Sequence, residues 1–187
     1  MMQKLWQEKL KLTYSKNVID IIQYGSSVIE GSEPKDLDIS VFYNKIPLKD
    51  QLNESQEIKN QLQKHADLPI HIKSFDLYSF FDKANFAKEG ILFYGRSLIS
   101  KDYFSKNFGL TPKLHIFYSL DKLKKKDKIR FHYMLKGKGG KYGVLREYGG
   151  KLIRPGMIEI LSEHEKIFID LIKKHISSFE LRKVFVL

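Results

Sequence analysis

Two aspartates one residue apart, Asp36 and Asp38, follow a Gly25-Ser26 pair after an interval of nine residues. In an extended chain, side chains at i and i+2 share a face. Asp36 and Asp38 then point one way, while Leu37, Ile39 and Val41 turn into a core on the other. Carboxylates held side by side repel each other unless a cation lies between them. A hard, oxygen-preferring ion such as Mg²⁺ (or Mn²⁺) suits such a pair, with substrate phosphates completing its shell. Gly25 lets backbone N–H groups approach an anion closely, and the Ser26 hydroxyl adds a donor. A phosphate cradle beside a metal-binding aspartate pair is the minimal apparatus for nucleotidyl transfer from a nucleoside triphosphate.

The surrounding sequence has to position these groups. Val18–Tyr24 is a β-branched run that stops at Gly25, and Leu37–Tyr43 begins in strict alternation, so both are predicted strands. Pro47 opens a polar helix to about Lys64, with Leu48, Leu52, Ile58 and Leu62 as its inward positions. Pro69–Phe75 reads as a third strand and Asp76 to about Lys88 as a helix. Glu89–Arg96 is a short apolar segment bracketed by glycines. Ahead of all of these, residues 3–16 read as an opening helix with an imperfect stripe of Leu5, Trp6, Leu10 and Leu12.

The Gly-Ser pair followed at this distance by Asp-x-Asp between strands resembles the DNA polymerase β-like nucleotidyltransferase superfamily, particularly its minimal nucleotidyltransferase branch. The resemblance covers roughly residues 17–99 and includes the Glu89–Gly95 segment. It implies that Gly25 and Ser26 hold the triphosphate and that Asp36 and Asp38 bind metal. Active members carry a further carboxylate on the third strand, where this chain has His71. A neutral histidine serves as a base or offers one nitrogen to a metal, though Mg²⁺ prefers oxygen. Three readings stay open: an enzyme with His71 in its site, an enzyme using Asp76 on a longer strand, and a degenerate nucleotide binder. In the second case the strand runs past Phe75; otherwise Asp76 caps the next helix.

Charge divides the chain. Residues 1–111 hold 15 Lys and Arg against 14 Asp and Glu, whereas residues 112–187 hold 18 against 8. A net +10 in the second part attracts polyanions, nucleic acid first. Two domains are therefore expected, with Pro112 as the boundary: a nucleotidyltransferase-like domain at 1–111 and a basic α/β domain at 112–187. In the second, Lys113–Tyr118 reads as a strand, and Ser119 caps a basic helix to Lys136. Residues 137–156, with seven of the twelve glycines, form a loop or a set of tight turns. Met157–Leu161 is a strand, Ser162 and Glu165 make a capping box for a helix with Ile167, Phe168, Leu171, Ile172 and Ile176 inward, and Phe179–Leu187 is a closing strand.

Lys124, Lys125, Lys126, Arg130, Lys136, Lys138 and Lys141 are the candidate nucleic-acid contacts, with Phe131, His132, Tyr133, Tyr142 and Tyr148 interleaved as stacking partners. Gly140-Lys141-Tyr142 is not a Walker A ending, because no glycine stands at the required distance before it and Tyr142 takes the Ser/Thr place. Tyr43, Phe93 and Trp6 read as core, and Arg96 as an exposed strand-end cation. His115, His132, His164 and His175 lack metal-ligand spacing. Cysteine is absent, which excludes disulfides, zinc–thiolate sites and thiol nucleophiles. No apolar run approaches the ~20 residues of a membrane span, and the N-terminus lacks a signal peptide's apolar stretch; a cytoplasmic protein without a membrane partner is expected. The expected fold is α/β (α+β), a small mixed sheet flanked by helices and then a smaller basic unit. The expected activity is metal-dependent nucleotidyl transfer to RNA, tRNA being one candidate; the alternatives are nucleotidylation of a protein, as in toxin–antitoxin systems, and a catalytically degenerate nucleic-acid-binding module.

Overall fold

The structure, a computed structural model, describes residues 4–139 and 141–187. Gln3, the first residue of the expected opening helix, and Gly140 of the glycine-rich stretch lie outside the described residues. The chain is a mixed α+β protein with two four-stranded sheets, and it divides into two compact units, Met1–Leu110 and Thr111–Leu187. No helix among the described residues is long and apolar enough to cross a membrane.

In the first unit the elements are β1 (Val18–Tyr24), β2 (Leu37–Tyr43), α1 (Leu48–Gln63), β3 (Ile70–Phe75), α2 (Leu77–Phe81), α3 (Lys88–Tyr94) and β4 (Arg96–Ser97). The sheet order is β3-β2-β1-β4; β2 and β3 run parallel and the other pairs antiparallel, so the sheet is mixed. Both faces are covered, which requires apolar residues of both parities. Leu37, Ile39 and Val41 enter one core with Ile21, Ile58 and Leu62. Ile22, Phe42 and Phe75 enter a second with Phe80, Ile91 and Phe104. Phe42 is the hub of that second core, with its ring 4.8 Å from both Phe80 and Phe104.

Several expected elements take a different form. The opening helix is only a 3₁₀ turn, Leu5–Gln7, followed by irregular chain. Leu10 and Leu12 still pack on the core, two residues apart, as an extended segment allows. Gln61 ties this segment down by a reciprocal pair of 2.8 Å bonds with the backbone of Thr13, and Glu54 accepts from Ser15. In α1, Ile58 and Leu62 are buried but Leu48 and Leu52 are exposed. The inward stripe begins instead with Gln51, which donates to the Ile46 carbonyl, and Ser55, which bonds the Tyr43 hydroxyl at 2.9 Å. Burial pushes the Tyr43 phenol up to about 12. Of the helix expected from Asp76 to about Lys88 only the short α2 forms, residues 82–87 being turns, and the apolar Glu89–Arg96 segment is mostly α3. Arg96 is buried at 7% exposure, its guanidinium 3.4 Å from the Tyr103 ring centre.

The second unit contains β5 (Thr111–Tyr118), α4 (Lys125–Lys136), α5 (Val144–Glu147), β6 (Lys151–Arg154), β7 (Met157–Leu161), α6 (Glu165–Lys173) and β8 (Phe179–Val186). Its antiparallel sheet has the order β6-β7-β5-β8. Leu114, Ile116, Ile158 and Ile160 bury one face against Phe131, Leu135, Phe168 and Ile172. The basic helix starts at Lys125 rather than Ser119, whose hydroxyl instead donates to Asp121 in the preceding turn. The expected loop at 137–156 contains α5 and β6. A 3₁₀ turn, Ser162–His164, precedes α6, so the helix proper opens at Glu165 from His164.

Asp20 is a buried carboxylate with 3% exposure on β1. It accepts from Ser97 Oγ at 2.6 Å, the Ile21 N–H at 2.8 Å and Asn107 Nδ2 at 3.2 Å, which pins the 97–107 segment to β1. Burial raises its pKa despite these bonds, so the native state binds the proton more tightly than the unfolded chain. The stability this group contributes is greatest at low pH and declines as pH rises from its ordinary value of 3.8 through the raised one. Asp20→Ala strands buried donors and is expected to cost about 1–3 kcal/mol in chemical denaturation. Asp20→Asn keeps an acceptor, and its stability relative to the natural chain is expected to improve as pH rises through that window. A pH-independent difference would contradict this account.

Candidate functional site

The register of the first sheet assembles the site. Tyr24 of β1, Asp38 of β2 and His71 of β3 lie in one transverse row. The next row is Ile22, Ser40 and Lys73, and the third is Asp20, Phe42 and Phe75. One sheet face thus changes from polar to aromatic along the strands. The carboxylates stand where β2 begins, and the phenylalanine core closes the far end.

Asp36 lies one residue before β2 and shares the face of Asp38. His71 reaches them from the neighbouring parallel strand, its Nδ1 3.5 Å from Asp36 Oδ2 and its side chain 63% exposed. Among the described residues, Asp36, Asp38 and His71 form the one acidic or histidine triad whose ligand atoms gather within 4.8 Å of one another. Burial and the Asp36 charge push the Asp38 carboxyl above its ordinary value, while His71 and Lys73 pull it back. Burial also raises the Tyr24 phenol, and the Asp38 charge adds to that.

Asp76 is drawn out of the site. It caps α2, accepting from the Ser79 N–H at 2.7 Å while Ser79 Oγ accepts from the Asp76 N–H at 2.9 Å, and these bonds lower its pKa.

Gly25 has a structural reason for its identity. Its φ is +75°, and a Cβ built there would lie 2.6 Å from Asp38 Oδ2. The turn Gly25–Val28 is anchored from beneath by buried Gln23, which accepts from the Leu5 N–H and donates to Ser27 Oγ; that hydroxyl donates to the Tyr24 carbonyl. Ser26 is exposed at the top of the turn.

Lys73 was not among the expected site residues. It follows His71 by two on β3, so the same alternation that aligned the aspartates places it on this face, one row further in. The signal was present in the strand's period.

The chain matches no protein-family model, no curated protein and no solved structure.

In the second unit, Lys124, Lys125, Lys126, Arg130, Lys136, Lys138 and Lys141 are all exposed. Their expected aromatic partners divide. Phe131 is core, and Tyr148 packs against Phe168 and His164. Tyr133 and Tyr142 remain exposed, each with a cation on its ring: Lys138 at 5.1 Å and Arg146 at 3.7 Å. Helical spacing decides this, since Phe131 and Leu135, four apart, take the inner face of α4.

Gly25→Ala carries a backbone penalty of about 1–2 kcal/mol for the left-handed conformation, plus a clash with the Asp38 carboxylate. In an Asp38→Ala background the clash term disappears. A double-mutant cycle by denaturant unfolding is expected to show a smaller cost of Gly25→Ala there than in the natural chain. Equal costs would mean that Asp38 does not crowd the glycine.

Proposed function

We propose that the first unit is a metal-dependent nucleotidyltransferase and that its acceptor is RNA. The observation that carries this reading is the convergence of Asp36, Asp38 and His71 beside the Gly25 turn. The resemblance of residues 17–99 to the DNA polymerase β-like superfamily supports the same assignment. Two carboxylates are a fitting donor set for Mg²⁺ or Mn²⁺; the Asp38 pKa is raised by burial first and then by the Asp36 charge, and a cation would relieve the second. The imidazole is the donor Mg²⁺ accepts least readily, so the aspartates are assigned as ligands and His71 as the base.

Asp36 and Asp38 would hold the cation at the mouth of the sheet, where it would supply charge stabilisation for the departing pyrophosphate. The Gly25–Ser26 turn offers donors to the phosphates. The acceptor hydroxyl oxygen attacks the α-phosphorus and the bond to pyrophosphate breaks. The hydroxyl proton passes to an imidazole nitrogen of His71. Lys73, on the same face, stands to meet the negative charge that develops. RNA as acceptor follows from the second unit, whose net +10 presents exposed lysines on α4 and the loop after it.

Incubation with each labelled nucleoside triphosphate, Mg²⁺ or Mn²⁺, and total RNA is the direct test, with label expected in RNA. Label in protein instead would replace the acceptor while keeping the chemistry; label in neither would leave a nucleotide binder. Asp36→Asn with Asp38→Asn is expected to reduce transfer to background and weaken Mn²⁺ binding, read by electron paramagnetic resonance, with the fold intact. Undiminished transfer by that variant would remove the site assignment. His71→Ala is expected to slow transfer about 100-fold or more, and His71→Asp to retain activity by restoring an oxygen donor. RNA affinity is expected to fall with salt at a log–log slope of about −0.7 per phosphate contact; a flat dependence would exclude the basic surface as the contact.

A further inference from the structure

The second unit holds a cavity of about 630 Å³ where β5 ends, bounded by the β6–β7 turn and by the chain leading into β8. That volume is within the range of about 300–1,000 Å³ usual for small-molecule sites. Tyr118 and Phe179, paired across β5 and β8, supply aromatic walls, and Lys122 and Arg154 supply cations. The walls are braced. The Tyr118 ring packs edge-on against Phe131 at 5.0 Å, and its backbone N–H donates to the Gly156 carbonyl at 2.8 Å. Gly156 sits at φ +83°, and a Cβ there would come 2.9 Å from the Tyr118 oxygen, so the Pro155-Gly156 turn is held tightly against β5. Arg154 therefore projects from a fixed hairpin.

The charge balance of the lining points to an anion. Asp121 is engaged by Ser119 Oγ at 2.7 Å and Glu180 by Arg182 Nε at 2.7 Å. Lys122 and Arg154 have no carboxylate partner among the described residues. Aromatic walls select a flat ring, and Lys122 and Arg154, which outnumber Asp121, the one lining carboxylate without a paired cation, favour a negative group attached to it; a nucleotide unit has both. Continuity selects a polymer. Leu123 lines the cavity, and Lys124, Lys125 and Lys126 follow it directly into the exposed face of α4. Phosphates on either side of an inserted nucleotide would meet cations. A base within a duplex is stacked and paired, so only an unpaired one can enter.

We propose that this cavity receives one unstacked nucleotide of a single-stranded RNA, its base among the aromatic walls and its flanking phosphates on Arg154 and Lys122. The inference deepens the reading of the second unit as the RNA-contacting surface and rests on it, but not on the transfer chemistry of the first unit.

The test uses the full chain in EDTA, with a fluorescently labelled 12-nucleotide single-stranded RNA and a duplex of equal length. Phe179→Leu keeps an apolar side chain but removes the stacking face, and is expected to weaken single-strand binding about 5- to 100-fold while leaving duplex binding unchanged. Arg154→Gln is expected to weaken it and reduce the salt slope by about 0.7. Equal single-strand affinity for both variants and the natural chain would overturn the proposal, as would the absence of single-strand binding by the natural chain. A second measurement needs no substitution: photo-crosslinking of the natural chain to a 4-thiouridine 12-mer is expected to mark residues 117–123, 154–156 or 176–180. Crosslinks confined to other residues would also overturn it. The Asp36→Asn, Asp38→Asn chain is expected to give the same crosslinks, so loss of transfer and loss of this site produce different results.

Discussion

Like charges crowded on one strand face are the constraint around which the first unit is built. Asp36 and Asp38 share that face, and Asp38 is pressed so closely over Gly25 that any β-carbon there would collide with its carboxylate. Partial burial and then repulsion from Asp36 raise the Asp38 pKa, and His71 and Lys73 on the adjacent strand offset part of that cost. The turn after β1 is accordingly glycine in a left-handed conformation, braced by Gln23 and Ser27. The parallel pairing of β2 with β3 is what sets His71 opposite Asp38. A slip of one residue in that register would turn His71 away.

Rigidity behind the site comes from a different kind of contact. The face that carries Asp38 continues into Phe42 and Phe75, which meet Phe80 and Phe104 in edge-on and tilted ring contacts. These rings exclude water from the far end of the face and leave the carboxylate end open. Asp20 adds a buried polar tether between β1 and the 97–107 segment. The second unit follows another plan. It buries one face of an antiparallel sheet under α4 and α6 and places its excess of lysine outside, with exposed tyrosines beneath some of the cations.

Where side-chain parity alone decides, the sequence was readable. The alternation from Leu37 to Tyr43 separates core residues from aspartates, and every one of Leu37, Ile39 and Val41 is buried. The same holds for the inward face of α6, where Phe168 and Ile172 are buried at helical spacing and Ile176, just past the helix end, joins them. Capping was legible at Asp76, whose side chain has a local partner three residues on. The misread elements share a cause. Residues 8–16 have no repeating local bond partner and are held by Gln61 and Glu54, some forty residues away. Gln51 and Ser55 face inward because the Ile46 carbonyl and the Tyr43 hydroxyl need partners there, which no hydrophobicity count reveals.

By itself the sequence determined the strand parities, the aspartate pair behind a glycine turn, the histidine on the third strand and the placement of positive charge in residues 112–187. These are local or compositional properties, set by a period of two or by counting. Only the tertiary structure decided which strand pairs with which and in what register, and hence that His71 and Lys73 face Asp38. It also decided that Arg96 is buried beside Trp6 and that Tyr118 and Phe179 border one cavity with Arg154. Each of these joins residues far apart in the chain, and such pairings depend on how whole elements close against each other to bury apolar area, a balance that no short window of sequence contains.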